Sequence, residues 1–172
     1  MAGMRKPAAL TVVAALTLAS IAGYEGYRRT AYDDGVGVQT VGFGSTRHPD
    51  GRPVKPGDAV TPERAVLMLA HDADRIWREA AACIADVPLT DGEAAAYQSL
   101  VYNIGAGAFC RSTLVKKLKA AAAPHLTPEE REARYAGACR EILRWNRAGG
   151  QVLPGLSKRR EAEYRQCMGE VK

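Results

Sequence analysis

Arg5 and Lys6 precede 18 residues, Pro7 to Tyr24, that carry no charged side chain, and Glu25 follows them directly. Wound as a helix, this run reaches roughly 27 Å at ~1.5 Å per residue, close to the ~30 Å hydrocarbon thickness of a bilayer. It is a weak span. Leu10, Val12, Val13, Leu16, Leu18 and Ile21 are its large aliphatics, and most of the remainder is Ala, with Thr11, Thr17, Ser20 and Gly23. A segment of that make-up gains little from lipid, so it can enter a membrane and leave it again. Basic residues ahead of it place the amino terminus on the cytoplasmic side and the rest of the chain across the membrane. Two other readings stay open: a signal peptide cut behind the small residues of Ser20-Ile21-Ala22, or a buried helix of a folded domain. Cleavage would leave Glu25 near a frayed terminus, which favours retention.

Cys83, Cys110, Cys139 and Cys167 all lie beyond that run, and none forms a Cys-x-x-Cys pair. With 3 His in the chain, this pattern argues against zinc or another metal, and an even cysteine count in an exported chain points to disulfides. Pairing Cys83 with Cys110 and Cys139 with Cys167 is favoured, because each bridge then joins neighbouring helices in the order given below. Each would contribute roughly 3 kcal/mol by the chain-entropy relation. Four buried free thiols are the alternative.

The 24 Lys and Arg against 19 Asp and Glu leave a formal charge of +5, which suits an anionic polymer or surface as partner. Aromatics make up 6% of the chain, with 2 Phe and 2 Trp. That leaves few rings for stacking bases, so nucleic acid is not expected. A length of 172 residues gives one domain with a real core beyond the apolar run.

From Glu25 to Asp58, Gly35, Gly37, Gly42, Gly44 and Gly51 punctuate β-branched stretches at Val36 to Thr40 and Thr40 to Phe43, which predicts a small twisted sheet with tight turns. Helices follow. Thr61-Pro62 is an N-cap with proline at the first helical position, and Val66, Leu69, Ala70, Ala73, Ile76, Trp77, Ala80 and Ile84 continue at helical spacing. That helix is long enough to join two lobes. The capping box Thr90-Asp91-Gly92-Glu93 opens another helix to about Ile104, where Gly105 and Gly107 end it. A third covers Leu114 to Ala122, a fourth runs from the capping box Thr127-Pro128-Glu129-Glu130 to about Trp145, and a last, basic one spans Ser157 to Met168. Trp77 and Trp145 read as core, and His48, His71 and His125 as surface residues.

Glu25, Asp34 and Thr40 concentrate the chemistry. An acid at a helix end, facing a hairpin that carries a carboxylate and a hydroxyl, supplies the parts for glycoside hydrolysis: one carboxyl protonates the leaving oxygen, and the other activates water or stabilises positive charge on the sugar. The spacing Glu, eight residues, Asp, five residues, Thr resembles the signature of phage-type lysozymes, glycoside hydrolase family 24. Tyr102-Asn103-Ile104-Gly105-Ala106-Gly107-Ala108-Phe109, followed by Ser112-Thr113-Leu114, is similar to that family's carboxy-lobe motif. Trp145 with Ala148-Gly149-Gly150, Gly155-Leu156 and Arg159-Arg160 is similar to its ending. The weak segment before Glu25 further resembles that of signal-arrest-release endolysins, which are exported tethered to the host inner membrane and act in the periplasm once the segment escapes.

The resemblance implies an α+β lysozyme-like fold, with a small sheet-bearing lobe and a larger helical lobe joined by a long helix. It divides the chain into an anchor segment, residues 1–24, and a catalytic domain, residues 25–172. It implies a muramidase cutting the β-1,4 bond between N-acetylmuramic acid and N-acetylglucosamine of peptidoglycan, without a cofactor. Glu25 would be the general acid, Asp34 the second carboxylate, as base or electrostatic partner, and Thr40 the holder of the attacking water. Asn103 would contact the sugar or cap local backbone. Arg159 and Arg160 would contact Glu25 or wall carboxylates, or form a solvated basic face. A monomer is expected, with residues 7–24 in the inner membrane before release. Two rivals are a membrane-tethered cationic wall binder or permeabiliser without hydrolysis, and a lytic transglycosylase, which needs only one acid. Where many relatives have His after Gly-x-Gly, this chain has Ser45, with His48 three residues on, which puts in question any lobe-bridging role for that histidine. No cysteine lies in the apolar run or near Glu25, so control by thiol exchange at the site is not expected.

Overall fold

The structure, a computed structural model, describes residues 10–35 and 37–170. The start of the apolar run, before Leu10, and Val36 of the expected first strand lie outside the described residues. Two compact units are present, one formed by Ala14–Arg75 and the other by the chain from Ile76 onward together with Leu10–Val13.

Helix α1 (Leu10–Glu25), which enters the first unit at Ala14, ends on the glutamate itself, and Thr17 and Ile21 are buried. Among the described residues no helix is long and apolar enough to cross a membrane. Strands β1 (Arg28–Asp33) and β2 (Gln39–Gly42) form an antiparallel hairpin. The first strand thus precedes the predicted one. Its sequence Arg28-Arg29-Thr30-Ala31-Tyr32-Asp33 is polar and mostly exposed, so it shows no alternating apolar signal. The glycine-rich stretch taken for its start is the turn, with Gly35 and Gly37 at φ +92° and +86°. The hairpin registers Arg28 with Gly42, Tyr32 with Thr40 and Asp33 with Gln39, with an irregularity between Arg28 and Tyr32. There, β1 pairs on its other edge with residues 58–60: Ala31 N donates to Asp58 O (2.8 Å) and Val60 N donates to Arg29 O (2.9 Å). Val41, Val54, Val60, Ala65 and Met68, flanked by Ala31 and Phe43, make this unit's core.

Helix α2 (Pro62–Ala81) starts with Pro at its first position, and Thr61 Oγ1 accepts from Arg64 N (3.2 Å). It is shorter than the sequence pattern suggests, because Ala82–Ile84 tightens into a 3₁₀ turn. Val66 turns outward at 44% exposure, while Ala65, Met68 and Leu69 are buried. The division between the units falls within α2, at Arg75.

The second unit holds α3 (Asp91–Ile104), α4 (Ala106–Cys110), α5 (Thr113–Ala121), α6 (Pro128–Arg140), a 3₁₀ turn (Glu141–Arg144), a two-residue pair β3 (Arg147–Ala148) and β4 (Gln151–Val152), and α7 (Pro154–Cys167). Both capping boxes form as predicted, Thr90 with Glu93 and Thr127 with Glu130. The hairpin of β3 and β4 turns on Gly149 and Gly150, both at positive φ, the geometry a two-residue hairpin loop demands. Helix α7 begins three residues earlier than expected, on Pro154. Tyr97, Leu100, Phe109, Leu114, Leu118, Tyr135, Ala138 and Ile142 lie in one core, against which Trp77 and Trp145 pack. Two disulfides, Cys83–Cys110 and Cys139–Cys167, are the pairs favoured from the helix order. Cys139 and Cys167 are buried in that core, whereas Cys83 and Cys110 are partly exposed at its edge.

Candidate active site

Glu25, Asp34 and Thr40 fall in the same compact unit. Glu25 ends α1, half-buried. The link to β1 is held by Tyr27, whose hydroxyl donates to Val60 O (2.6 Å) and whose ring lies 5.8 Å from that of Phe43. Asp34 opens the hairpin turn. Its amide donates to Val38 O (3.1 Å), and its Oδ1 accepts from Val38 N (3.1 Å).

The residue before it, which the sequence reading passed over, organises the same turn: Asp33 Oδ1 accepts from Gly35 N (2.8 Å) and Gly37 N (3.1 Å). The pattern Asp-Asp-Gly-x-Gly was a usable signal, because a short carboxylate hydrogen-bonds backbone two residues on and glycine supplies the positive φ. Thr40, opposite Tyr32, is 5% exposed. Its Oγ1 donates to Val38 O at 3.4 Å, so the same oxygen offers its lone pairs as acceptors. One turn therefore carries a carboxylate and a hydroxyl fixed through the same residue, Val38.

Asn103, Arg159 and Arg160 belong to the other unit. Asn103 is exposed near the end of α3, where Gly105 (φ +81°) breaks the helix and Phe109 is wholly buried beside Tyr97, ring centroids 6.1 Å apart. The arginines are not the solvated face the sequence allowed. Arg159 is 5% exposed and Arg160 fully buried, because both converge on Glu163: Arg159 Nε lies 3.2 Å from Oε1, Arg160 Nη2 donates to Oε1 (3.0 Å), and Arg160 Nε lies 2.9 Å from Oε2. Ser99 Oγ donates to the same Oε1 (2.7 Å), and Arg159 Nη2 donates to Ser99 O (3.3 Å). Burial pushes the Glu163 carboxyl up, against the pull of Arg160, Ser99 and Arg159. This network binds α3 to α7. The i, i+3 and i, i+4 spacing of Arg160 and Arg159 to Glu163 was the sequence signal for it.

His48 is not a surface residue either. Its side chain is 14% exposed, with Nε2 2.9 Å from Asp58 Oδ2. Asp58 also accepts from Lys55 N (2.9 Å), and its carboxyl is held below the usual range, chiefly by the His48 bond and then by that of Lys55. Among the described residues no group of three or more His, Cys, Asp and Glu side chains is placed to hold a metal ion.

Residues 22–163 match the model of the family described as phage lysozyme. The chain belongs to the phage lysozyme family. It is 38% identical over 144 residues to an endolysin of Acyrthosiphon pisum secondary endosymbiont phage 1, covering 81% of this chain and 86% of that protein. It is 35% identical over 147 residues to a SAR-endolysin of bacteriophage PS119, covering 85% and 77%. A crystal structure of a mutant P22 lysozyme superposes with a TM-score of 0.71 at 26% identity, covering 95% of this chain and 99% of that one. As a phage lysozyme, this protein is a glycoside hydrolase that cuts the muramic acid to glucosamine bond of peptidoglycan and lyses the host wall. Neither a non-hydrolytic permeabiliser nor a transglycosylase is favoured by that membership.

Proposed function

We propose that Glu25 is the general acid of this endolysin, Asp34 its second carboxylate, and Thr40 the residue that holds the attacking water. The observation that carries the assignment is the shared fixation of Asp34 and Thr40 through Val38 on one turn, in the unit whose helix α1 ends on Glu25. Glu25 donates its proton to the glycosidic oxygen, Asp34 offsets the positive charge that develops on the sugar, and water held against Thr40 completes hydrolysis. Asn103, exposed on the helical unit, contacts the glycan. Arg159 and Arg160 serve the fold instead of touching substrate, since both guanidinium groups converge on the buried Glu163 carboxylate. The decisive variant is Glu25→Gln, which fills the same space without an acidic proton. It should lower wall hydrolysis at least about a hundredfold with folding intact, and near-normal hydrolysis would remove Glu25 from the role.

Residues 7–24 form a reversible membrane anchor, residues 25–172 the catalytic part, and the protein works as a monomer in the periplasm after release from the inner membrane. The small-residue make-up of the run supports this reading, as does the likeness to SAR-endolysins. Replacing Ala14, Ala15 and Ala19 by Leu should hold the protein in the membrane fraction and delay lysis. Lysis on the normal schedule, or a mature protein beginning at Gly23, would mean an ordinary signal peptide.

A further inference from the structure

The hairpin that carries Asp34 is incomplete by itself. Its β1 strand pairs with β2 at Arg28 and again at Tyr32 and Asp33, and the register slips between them. Over that gap the backbone is held from the opposite edge by residues 58–60, through Ala31 N to Asp58 O and Val60 N to Arg29 O, with Thr30 facing Ala59. The same short segment also receives the Tyr27 hydroxyl at Val60 O. It therefore supports the chain two residues after Glu25 and again three residues before Asp34. Val60 anchors its far end in the core and the Asp58 amide donates to Lys55 O (3.1 Å), while the side chain of Asp58 ties its near end to a second loop: Oδ2 takes His48 Nε2 at 2.9 Å and Lys55 N at 2.9 Å. His48 in turn is rooted in a separate hairpin, where its amide donates to Arg52 O (2.8 Å) and Val54 N donates to Thr46 O (2.9 Å). The charged groups around the pair are Asp50 and Arg52 on that hairpin.

We infer that His48 is a positioning residue for hydrolysis: through Asp58 it fixes the 58–60 segment, and through that segment the stretch of β1 between Glu25 and Asp34. This rests on the reading of Glu25 and Asp34 as the reacting carboxyls. The histidine that the sequence left without a task is then a clamp within the sheet-bearing unit. Neutral histidine with its proton on Nε2 still donates to Asp58, so what the position requires is a donor at that point and not a positive charge.

The test compares His48→Ala, which removes the donor, with His48→Gln, whose amide nitrogen reaches the place of Nε2. Both are assayed on purified sacculi at a temperature where circular dichroism shows the variant folded, and backbone amide exchange is measured at Ala31. His48→Ala should lower kcat about tenfold, as small misplacements of reacting groups do, leave KM within about twofold, and speed exchange at Ala31. His48→Gln should restore both kcat and protection. If His48→Ala does not fold, His48→Gln against Asp58→Ala, which removes the acceptor oxygen, decides: the first should keep kcat and the second lose it. Unchanged Ala31 exchange in folded His48→Ala, unchanged kcat, or failure of folded His48→Gln to rescue would each overturn the inference. The exchange measurement needs no catalysis, so it fails separately from the assignment of Asp34, which stands or falls with Asp34→Asn.

Discussion

Asp34 and Val38 are joined twice, by Asp34 N to Val38 O at 3.1 Å and by Val38 N to Asp34 Oδ1 at 3.1 Å. The second bond needs only an acceptor oxygen, which an asparagine also offers. Asp34→Asn should therefore keep the turn and the melting behaviour of the parent while losing at least about a hundredfold in hydrolysis, because the negative charge is gone. Asp34→Ala should lose the turn bond as well. Kinetics on sacculi paired with a thermal melt separate the two effects.

Gly92 sits in the first turn of α3, where a Cβ would lie 2.6 Å from the carbonyl oxygen of Gln166 on α7. Backbone is a poor candidate to yield, so Gly92→Ala should cost about 1–3 kcal/mol in urea unfolding despite the better helix propensity of alanine. A stabilised variant would mean that α3 and α7 approach less closely than described.

The disulfides close loops with sequence separations of 27 and 28, each a contribution of roughly 3 kcal/mol against a typical domain stability of about 5–15 kcal/mol. Reduction of both should shift the urea midpoint well down. Because Cys83 and Cys110 are partly exposed and Cys139 and Cys167 buried, graded reductant followed by alkylation and peptide mapping should find Cys83 and Cys110 labelled first.

Two carboxyls give opposite pH signatures. Asp58 has its folded pKa below its ordinary 3.8, so it adds stability that is present above about pH 4 and lost as pH falls through the lower folded value. Glu163, raised above 4.5 by burial, binds its proton more tightly when folded. Its contribution is full below 4.5 and lost as pH rises through the folded pKa. Urea unfolding against pH should show a shallower acid-side loss in Asp58→Asn, and in Glu163→Gln the disappearance of any gain on going from neutral pH toward 4.5.

What could be read from the sequence was what short range decides. Thr90 with Glu93 and Thr127 with Glu130 announce helix starts because both partners of each capping box lie within one turn. The spacing of Glu25, Asp34 and Thr40 likewise survives translation into structure as a helix end and one hairpin. What stayed hidden depends on partners far along the chain. β1 is polar and mostly exposed and is held as a strand by backbone pairing to β2 and to residues 58–60, and nothing local to Arg28–Asp33 shows the second of these. His48 looks solvent-facing until Asp58 is placed beside it. Arg159 and Arg160 read as a basic surface because Ser99, 60 residues away from Arg159, cannot be seen to share Glu163 with them.

Hydrolysis by the Glu25 and Asp34 pair is read out at the bond itself by mass spectrometry of sacculi digested by the purified protein. The parent should release soluble muropeptides with reducing-end N-acetylmuramic acid, and Glu25→Gln and Asp34→Asn none above background. Anhydro-muramic ends, or the same reducing-end products from either variant, would contradict it.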